Sequence, residues 1–197
     1  MLAPPPPAPT RHLRRAERRE QILAAATRAF ASSGFAATGL DDVATEANIS
    51  RVILYRHFAS KTDLYRAVLD RTCVRLAAGV GTDEYSANTL DALLRVAAED
   101  PDGFRLLFHH AAREPEFRAE VDQLRASSVD IAHRYLADVI PEPAWRHWAT
   151  QLAPTVAVEA VIAWLDAGQP DRASAAERIG QVLAAIVEAA QSRDSAD

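Results

Sequence analysis

From Ser50 to Leu64 the chain spells two helix starts in quick succession, Ser50-Arg51-Val52-Ile53-Leu54-Tyr55 and Ser60-Lys61-Thr62-Asp63-Leu64. That leaves room only for a short helix, a tight link and the start of a second helix. Ser50 supplies a hydroxyl ahead of Ile53, Leu54 and Phe58, and Ser60 followed three residues later by Asp63 is a capping-box pattern. Upstream, Thr38 stands three residues before Asp41 and ahead of Leu40, Val43, Ala44 and Ala47, which predicts a short helix over 39–47. Asn48, which tolerates the left-handed conformation, then turns the chain. Before it, Ile22, Leu23, Ala26, Ala29 and Phe30 recur at helical spacing until Ser33-Gly34, predicting a helix over 20–33. Two short helices joined by a turn of three or four residues, with basic residues on the second, make a helix-turn-helix.

Charge sharpens this reading. The chain has a net charge of -5, but residues 1–66 hold ten Arg/Lys against six Asp/Glu and residues 67–197 twelve against twenty-one, a basic head on an acidic body. Arg51, Tyr55, Arg56, His57 and Lys61, the last being the only lysine, fall on the short helix and the start of the next. There, backbone amides and side chains can meet a phosphate backbone. Arg11, Arg14, Arg15, Arg18 and Arg19 follow the four prolines at positions 4–7. They form either a cationic arm along phosphates or a solvated basic lead-in to a helix, behind an extended tail that takes in residues 1–14.

Beyond Arg75 every regular stretch has a helical period, and none has the sustained alternation of a strand. Gly79-Val80-Gly81, Asp100-Pro101-Asp102-Gly103, Glu114-Pro115, Pro141-Glu142-Pro143 and Gly168-Gln169-Pro170 divide it into helices over 83–99, 102–113, 115–139, 143–167 and 171–192. Pro154 kinks or restarts the fourth of these. The fold class is all-α with about nine helices: a helix-turn-helix domain over 15–66 and a helical domain over 67–197.

The spaced elements Ile22-Leu23-Ala24-Ala25-Ala26, Phe30, Gly34-Phe35, Thr38, Val43-Ala44, Ala47, Ser50, Leu54-Tyr55, His57-Phe58, Ser60-Lys61 and Leu64 resemble the DNA-binding domain of TetR-family transcriptional regulators. The motifs cover about a quarter of the chain. The resemblance implies a one-component regulator, a repressor released from a palindromic operator by a small ligand. It implies phosphate contacts from Thr38, Tyr55, His57 and Lys61, with Ser50 and Arg51 at the entrance of the recognition helix and Arg51 and Arg56 reaching base edges. The chain departs from the family pattern at four positions. Gly39 stands where a second hydroxyl is common and Ile53 where a Ser or Thr often contacts the backbone. Val52 replaces a small residue, and Asn48 replaces the frequent Gly.

The resemblance also implies that the larger domain holds two subunits together and senses a ligand. Ala176, Ile179, Leu183, Ile186, Val187 and Ala190 make one apolar stripe, and Val156, Ala160, Ala163, Trp164 and Ala167 another. The two last helices either form a four-helix homodimer interface through these stripes or pack them inside one subunit. Phe104, Leu107, Phe108, His109, His110 and Arg113 on one predicted helix, with Tyr135, Trp145, Trp148 and Trp164, offer apolar wall and polar anchors for a hydrophobic or aromatic effector. Taken one at a time, each of these aromatics fits core ahead of pocket lining.

An enzyme is the rival class. His110 and Glu114 lie four apart and make half a metal site, but HExxH, a Gly-x-Ser-x-Gly elbow and a phosphate-cradling Gly-rich loop are absent, so no catalytic residue, cofactor or metal is expected. A purely structural helical protein would leave the basic first third unexplained. The single Cys73 fits a reducing compartment, Met1 to Thr10 lacks the apolar stretch of a secretory signal, and no run approaches the ~18 apolar residues of a membrane span. A cytoplasmic location is expected.

Overall fold

Nine α-helices and no strand occur among the described residues, 11–81, 85–86 and 88–192, of the computed structural model. They are α1 (Arg11–Ala37), α2 (Leu40–Glu46), α3 (Arg51–Tyr55), α4 (Lys61–Val80), α5 (Thr89–Glu99), α6 (Pro101–Arg105), α7 (Arg118–Leu136), α8 (Pro143–Asp166) and α9 (Arg172–Gln191). The chain divides into two compact units, Met1–Asp70 and Arg71–Asp197, each with its own core. Of the extended tail expected over 1–14, residues 1–10 lie outside the described residues. Its last four positions, Arg11 to Arg14, are instead the first turn of α1, which begins well before Glu20 because arginine is a good helix former.

In the first unit, Ile22, Leu23, Ala26 and Phe30 on α1 bury their stripe against Val43, Leu54, Phe58, Leu64, Tyr65 and Val68. Phe30 meets Tyr65 edge to face at 4.9 Å. Gly34 interrupts α1 at φ 78°, ψ 166°, backbone that a residue with a Cβ rarely adopts, so the stop read from Ser33-Gly34 has a steric cause. The cap that follows differs from expectation. Gly39, not Thr38, is the N-cap of α2, and its N–H donates to Asp42 Oδ2 at 2.7 Å. Thr38, 2% exposed, instead donates its hydroxyl to Gly34 O (2.7 Å) and Ala29 O (3.2 Å), closing the end of α1.

Asn48 takes φ 50°, and the Ile49 N–H reaches back to Ala44 O at 3.0 Å, a Schellman-type close of α2. Ser50 is the N-cap of α3 by backbone, without a side-chain cap bond. Ser60 caps α4 as read, its hydroxyl accepting from the Asp63 N–H at 3.0 Å while Asp63 Oδ2 accepts from the Ala59 N–H at 3.1 Å.

In the second unit, Asp100 accepts from the Gly103 N–H at 3.0 Å and starts α6 with Pro101 in its first turn. The single helix expected over 102–113 is three pieces: α6, a π turn over Leu106–His110 and a 3-10 turn over Ala111–Arg113. Phe104, Leu106, Leu107 and Ala111 are all buried along these pieces. α8 runs through Pro154 as one element and packs against α7 and α9. By length and mean hydropathy (1.2) it would suit a membrane span, contrary to the sequence expectation, but Val161, Ile162, Trp164 and Leu165 lie in the core of this unit.

The stripe on α9 is also internal. Ile186 and Ala190 belong to a core with Leu136, Ile140 and Ala149, and Leu183, Val187 and Val156 pack against it. Ile179 and Trp164 are buried as well. These residues therefore follow the second of the two alternatives, packing within one chain. The outward side of the two helices carries Ala163 and Ala167 from the stripe expected on α8, with Val182, Ala185 and Ala189 on α9.

Candidate nucleic-acid interface and effector site

Because α3 has only five residues and buries Leu54 alone, most of its surface faces outward. Val52 is 63% exposed and Tyr55 46%, and Arg51 and Arg56 are exposed beside them. Arg51 is held by α2: Nη1 donates to Asp41 Oδ2 at 3.0 Å, Nη2 to the Tyr55 hydroxyl at 3.4 Å, and the guanidinium lies 5.6 Å from the Tyr55 ring. The Tyr55 hydroxyl, then the Asp41 charge, push its pKa up. These contacts are solvent-exposed and set direction more than stability.

His57 follows α3, half buried. Burial first, and then the charges of Arg15, Arg19 and Arg18 on α1, hold its imidazole below the usual histidine range, so it is biased towards the neutral form. Lys61 Nζ donates to Phe35 O (2.8 Å) and Ala36 O (3.4 Å) and sits 4.4 Å from the Phe35 ring. It thus covers the carbonyl end of α1, where a cation is favoured. The structure brings Arg51, Tyr55, Arg56 and His57 to one exposed region around α3, with Ser50 at its start. It turns Thr38 inwards and engages Lys61 with α1. The inward placement of Thr38 departs from the role given to it above, for a hydroxyl 2% exposed and donated to carbonyls is not presented to a phosphate.

Within the second unit, a cavity of about 540 Å³ lies among α4, α5 and α6, lined by Thr72, Arg75, Leu76, Ala78, Gly79, Arg95, Val96, Glu99, Asp100 and Phe104. Its charges are internally matched. Asp100 Oδ2 takes Arg71 Nη1 at 3.2 Å and Arg75 Nη1 at 3.3 Å, and Arg95 Nη1 meets Glu99 Oε1 at 3.1 Å. Of the expected effector residues, Phe104 alone lines this cavity. Leu107 is fully buried, and Trp164 is in the core with Nε1 donating to Pro170 O at 2.6 Å. Phe108 meets Phe104 in a tilted arrangement with ring centroids 4.7 Å apart, His109 Nε2 meets Glu159 Oε2 at 3.1 Å, and Arg113 is exposed. Trp148, 38% exposed, lines a separate open groove of about 400 Å³ with residues of α8 only. The sequence reading missed Arg75, Arg95 and Asp100. The available signal was Asp100 preceding Pro101, a cap as much as a breaker.

His110 and Glu114 are separated by the 3-10 turn, and among the described residues no group of three or more His, Cys, Asp or Glu could hold a metal.

Residues 22–68, which contain α2, α3 and the core beneath them, match the family model of bacterial regulatory proteins of the tetR family. The transcriptional activator FasR of Mycolicibacterium smegmatis is 33% identical over 180 residues, spanning 84% of this chain and 80% of that protein. The chain belongs to the TetR family. The transcriptional repressor SCO4008 of Streptomyces coelicolor is 28% identical over 136 residues, 62% of this chain and 69% of its own length. A TetR-like regulator from Rhodococcus sp. RHA1 shares the fold with a TM-score of 0.73 at 20% identity, over 90% of this chain and 96% of that one. This TetR-family protein is accordingly a DNA-binding transcriptional regulator, built from an N-terminal helix-turn-helix and a helical C-terminal unit.

Proposed function

We propose that this regulator is a homodimeric repressor whose two copies of α3 enter successive major grooves of a palindromic operator, and that a small molecule in the C-terminal unit releases it. The observation that carries the reading is the exposed face of α3. Arg51 and Arg56 offer donors for guanine edges, Val52 an apolar contact for a thymine methyl, and Tyr55 and His57 partners for flanking phosphates. Ser50 stands at the entry of that helix. Lys61 contributes chiefly by holding α1 against the start of α4, and secondarily as positive charge near the backbone.

The dimer forms through the outward faces of α8 and α9, around Ala163, Val182, Ala185 and Ala189, where small side chains permit close approach. The effector occupies the cavity beside Leu76, Val96 and Phe104, a volume suited to a small ligand, whose wall carries the Arg75–Asp100 and Arg95–Glu99 ion pairs. Since a ligand shifts an equilibrium only by its differential affinity for the two states, release requires a few kcal/mol of coupling. The continuous helix α4 carries that shift. The site of action is the cytoplasm, with the genomic DNA.

Activation is the second reading, favoured by the name of the relative FasR. The test is selection of genomic fragments with purified protein, then transcription in vitro from the enriched promoter. An enriched palindrome with transcription lowered by protein supports repression, and raised transcription supports activation. No enrichment at low salt by folded protein overturns the operator reading.

A further inference from the structure

The arginines at the start of α1 have a place in the structure that the motif around α3 does not account for. Arg15, Arg18 and Arg19 lie at i, i+3 and i+4, on one face of α1, and all three are exposed. That face is tied to the chain on both sides of α3. On one side, Arg18 Nη1 donates to Gln21 Oε1 at 2.8 Å, and Gln21 Nε2 donates to Ala47 O at 2.7 Å, the residue that closes α2 before α3 begins. On the other side, the Arg19 guanidinium lies 5.1 Å from the ring of Phe58, just after α3 ends.

After burial, the charges of all three guanidiniums also lower the His57 pKa. Their partners differ from those of two other arginines in this unit. Arg28 and Arg51 meet the carboxylates of Glu46 and Asp41, whereas Arg18 donates to a neutral amide and Arg19 lies over a ring face. A guanidinium has five N–H donors and suits a phosphate bidentately, so these groups retain donors and uncompensated charge.

We propose that Arg15, Arg18 and Arg19 with His57 form a second phosphate site, which takes the backbone of the operator duplex outside the base pairs read by α3. The inference rests on the operator reading given above. Charge placed there tracks the backbone without reading sequence, so it adds affinity and salt dependence but no base preference.

The test uses the full-length protein and the duplex enriched by the wild type. Anisotropy titrations across a salt series compare the wild type with R15Q/R18Q/R19Q and with R118Q/R125Q/R178Q, which removes the same charge from exposed positions of the second unit. Each duplex phosphate neutralised adds about 0.9 to the slope of log affinity against log salt. The α1 variant is expected to bind at least tenfold more weakly at moderate salt, with the slope shallower by about 2. It should retain its base preference, and its deficit should vanish on a duplex trimmed of its flanks. The control variant should keep the wild-type slope. An unchanged slope in the α1 variant, or an equal loss in the control, overturns the second site while leaving the operator reading intact. A wild type that enriches no duplex overturns both, and circular dichroism melts verify that each variant is folded.

Discussion

Replacing Lys61 by alanine removes an ammonium that makes a 2.8 Å bond to Phe35 O, a weaker 3.4 Å bond to Ala36 O and a cation–π contact 4.4 Å from the Phe35 ring. A hydrogen bond from a charged donor contributes about 1.5–3 kcal/mol net. The low end applies, because the carbonyls are only partly covered from water. The ring contact adds about 0.5 kcal/mol at such a site. The expected loss is about 2 kcal/mol in the first unit, equivalent to about 30-fold in an opening equilibrium. All three tryptophans, Trp145, Trp148 and Trp164, lie in the second unit, so their fluorescence does not report this loss. Amide hydrogen exchange does. The buried α1 amides from Ile22 to Phe30 should exchange about 30-fold faster in Lys61→Ala, with those of α8 unchanged. If α1 exchanges within about twofold of the wild type, the ammonium does not hold the helix end, and Lys61 returns to being a plain phosphate ligand.

Three other outcomes follow from the second unit. Asp100→Asn keeps an acceptor for the Gly103 N–H but removes the charge shared by Arg71 and Arg75, whose side chains, with that of Asp100, are 12%, 45% and 18% exposed. It should lower stability by about 2 kcal/mol, seen as a shifted urea midpoint of tryptophan fluorescence, and an unshifted midpoint would remove the clasp from the account. Burial first, then the charges of His109 and Arg113 and against the pull of Glu114, lowers the His110 pKa below 6.5. The unfolded chain therefore binds a proton that the folded one refuses, so stability present above pH 6.5 is lost as pH falls through 6.5 towards the lower folded pKa. His110→Gln should flatten the decline of the fluorescence melting temperature as pH falls below 6.5, and an equally steep decline would refute the assignment. Val182→Glu, at a half-exposed position of α9, should convert the dimer to monomer in light scattering, and a persistent dimer would move the interface elsewhere.

The reading head was legible in the sequence because its signals are local. Asn48 at positive φ, Ser60 with Asp63 at the start of α4 and the break at Gly34 each depend on residues within a turn of one another. The five-residue α3 and the π turn over Leu106–His110 were not legible, since helical spacing alone gives no length to a helix whose ends are set by what it packs on. The lining of the cavity was not legible for a related reason. Aromatics that line a pocket and aromatics that fill a core have the same spacing, and only packing placed Leu107 and Trp164 inside and Asp100, Arg75 and Arg95 on the wall.

By itself, the sequence determined an all-helical chain, the helix-turn-helix and its family, because period, caps and turn residues act over a few positions. Only the tertiary structure decided that Thr38 closes α1, that Lys61 covers its carbonyls, that the α9 stripe is core and that the arginines of α1 bracket α3. A one-dimensional pattern specifies which side of a helix is apolar or charged. What lies against that side is set by contacts between residues far apart in the chain, and those exist only once the helices have packed.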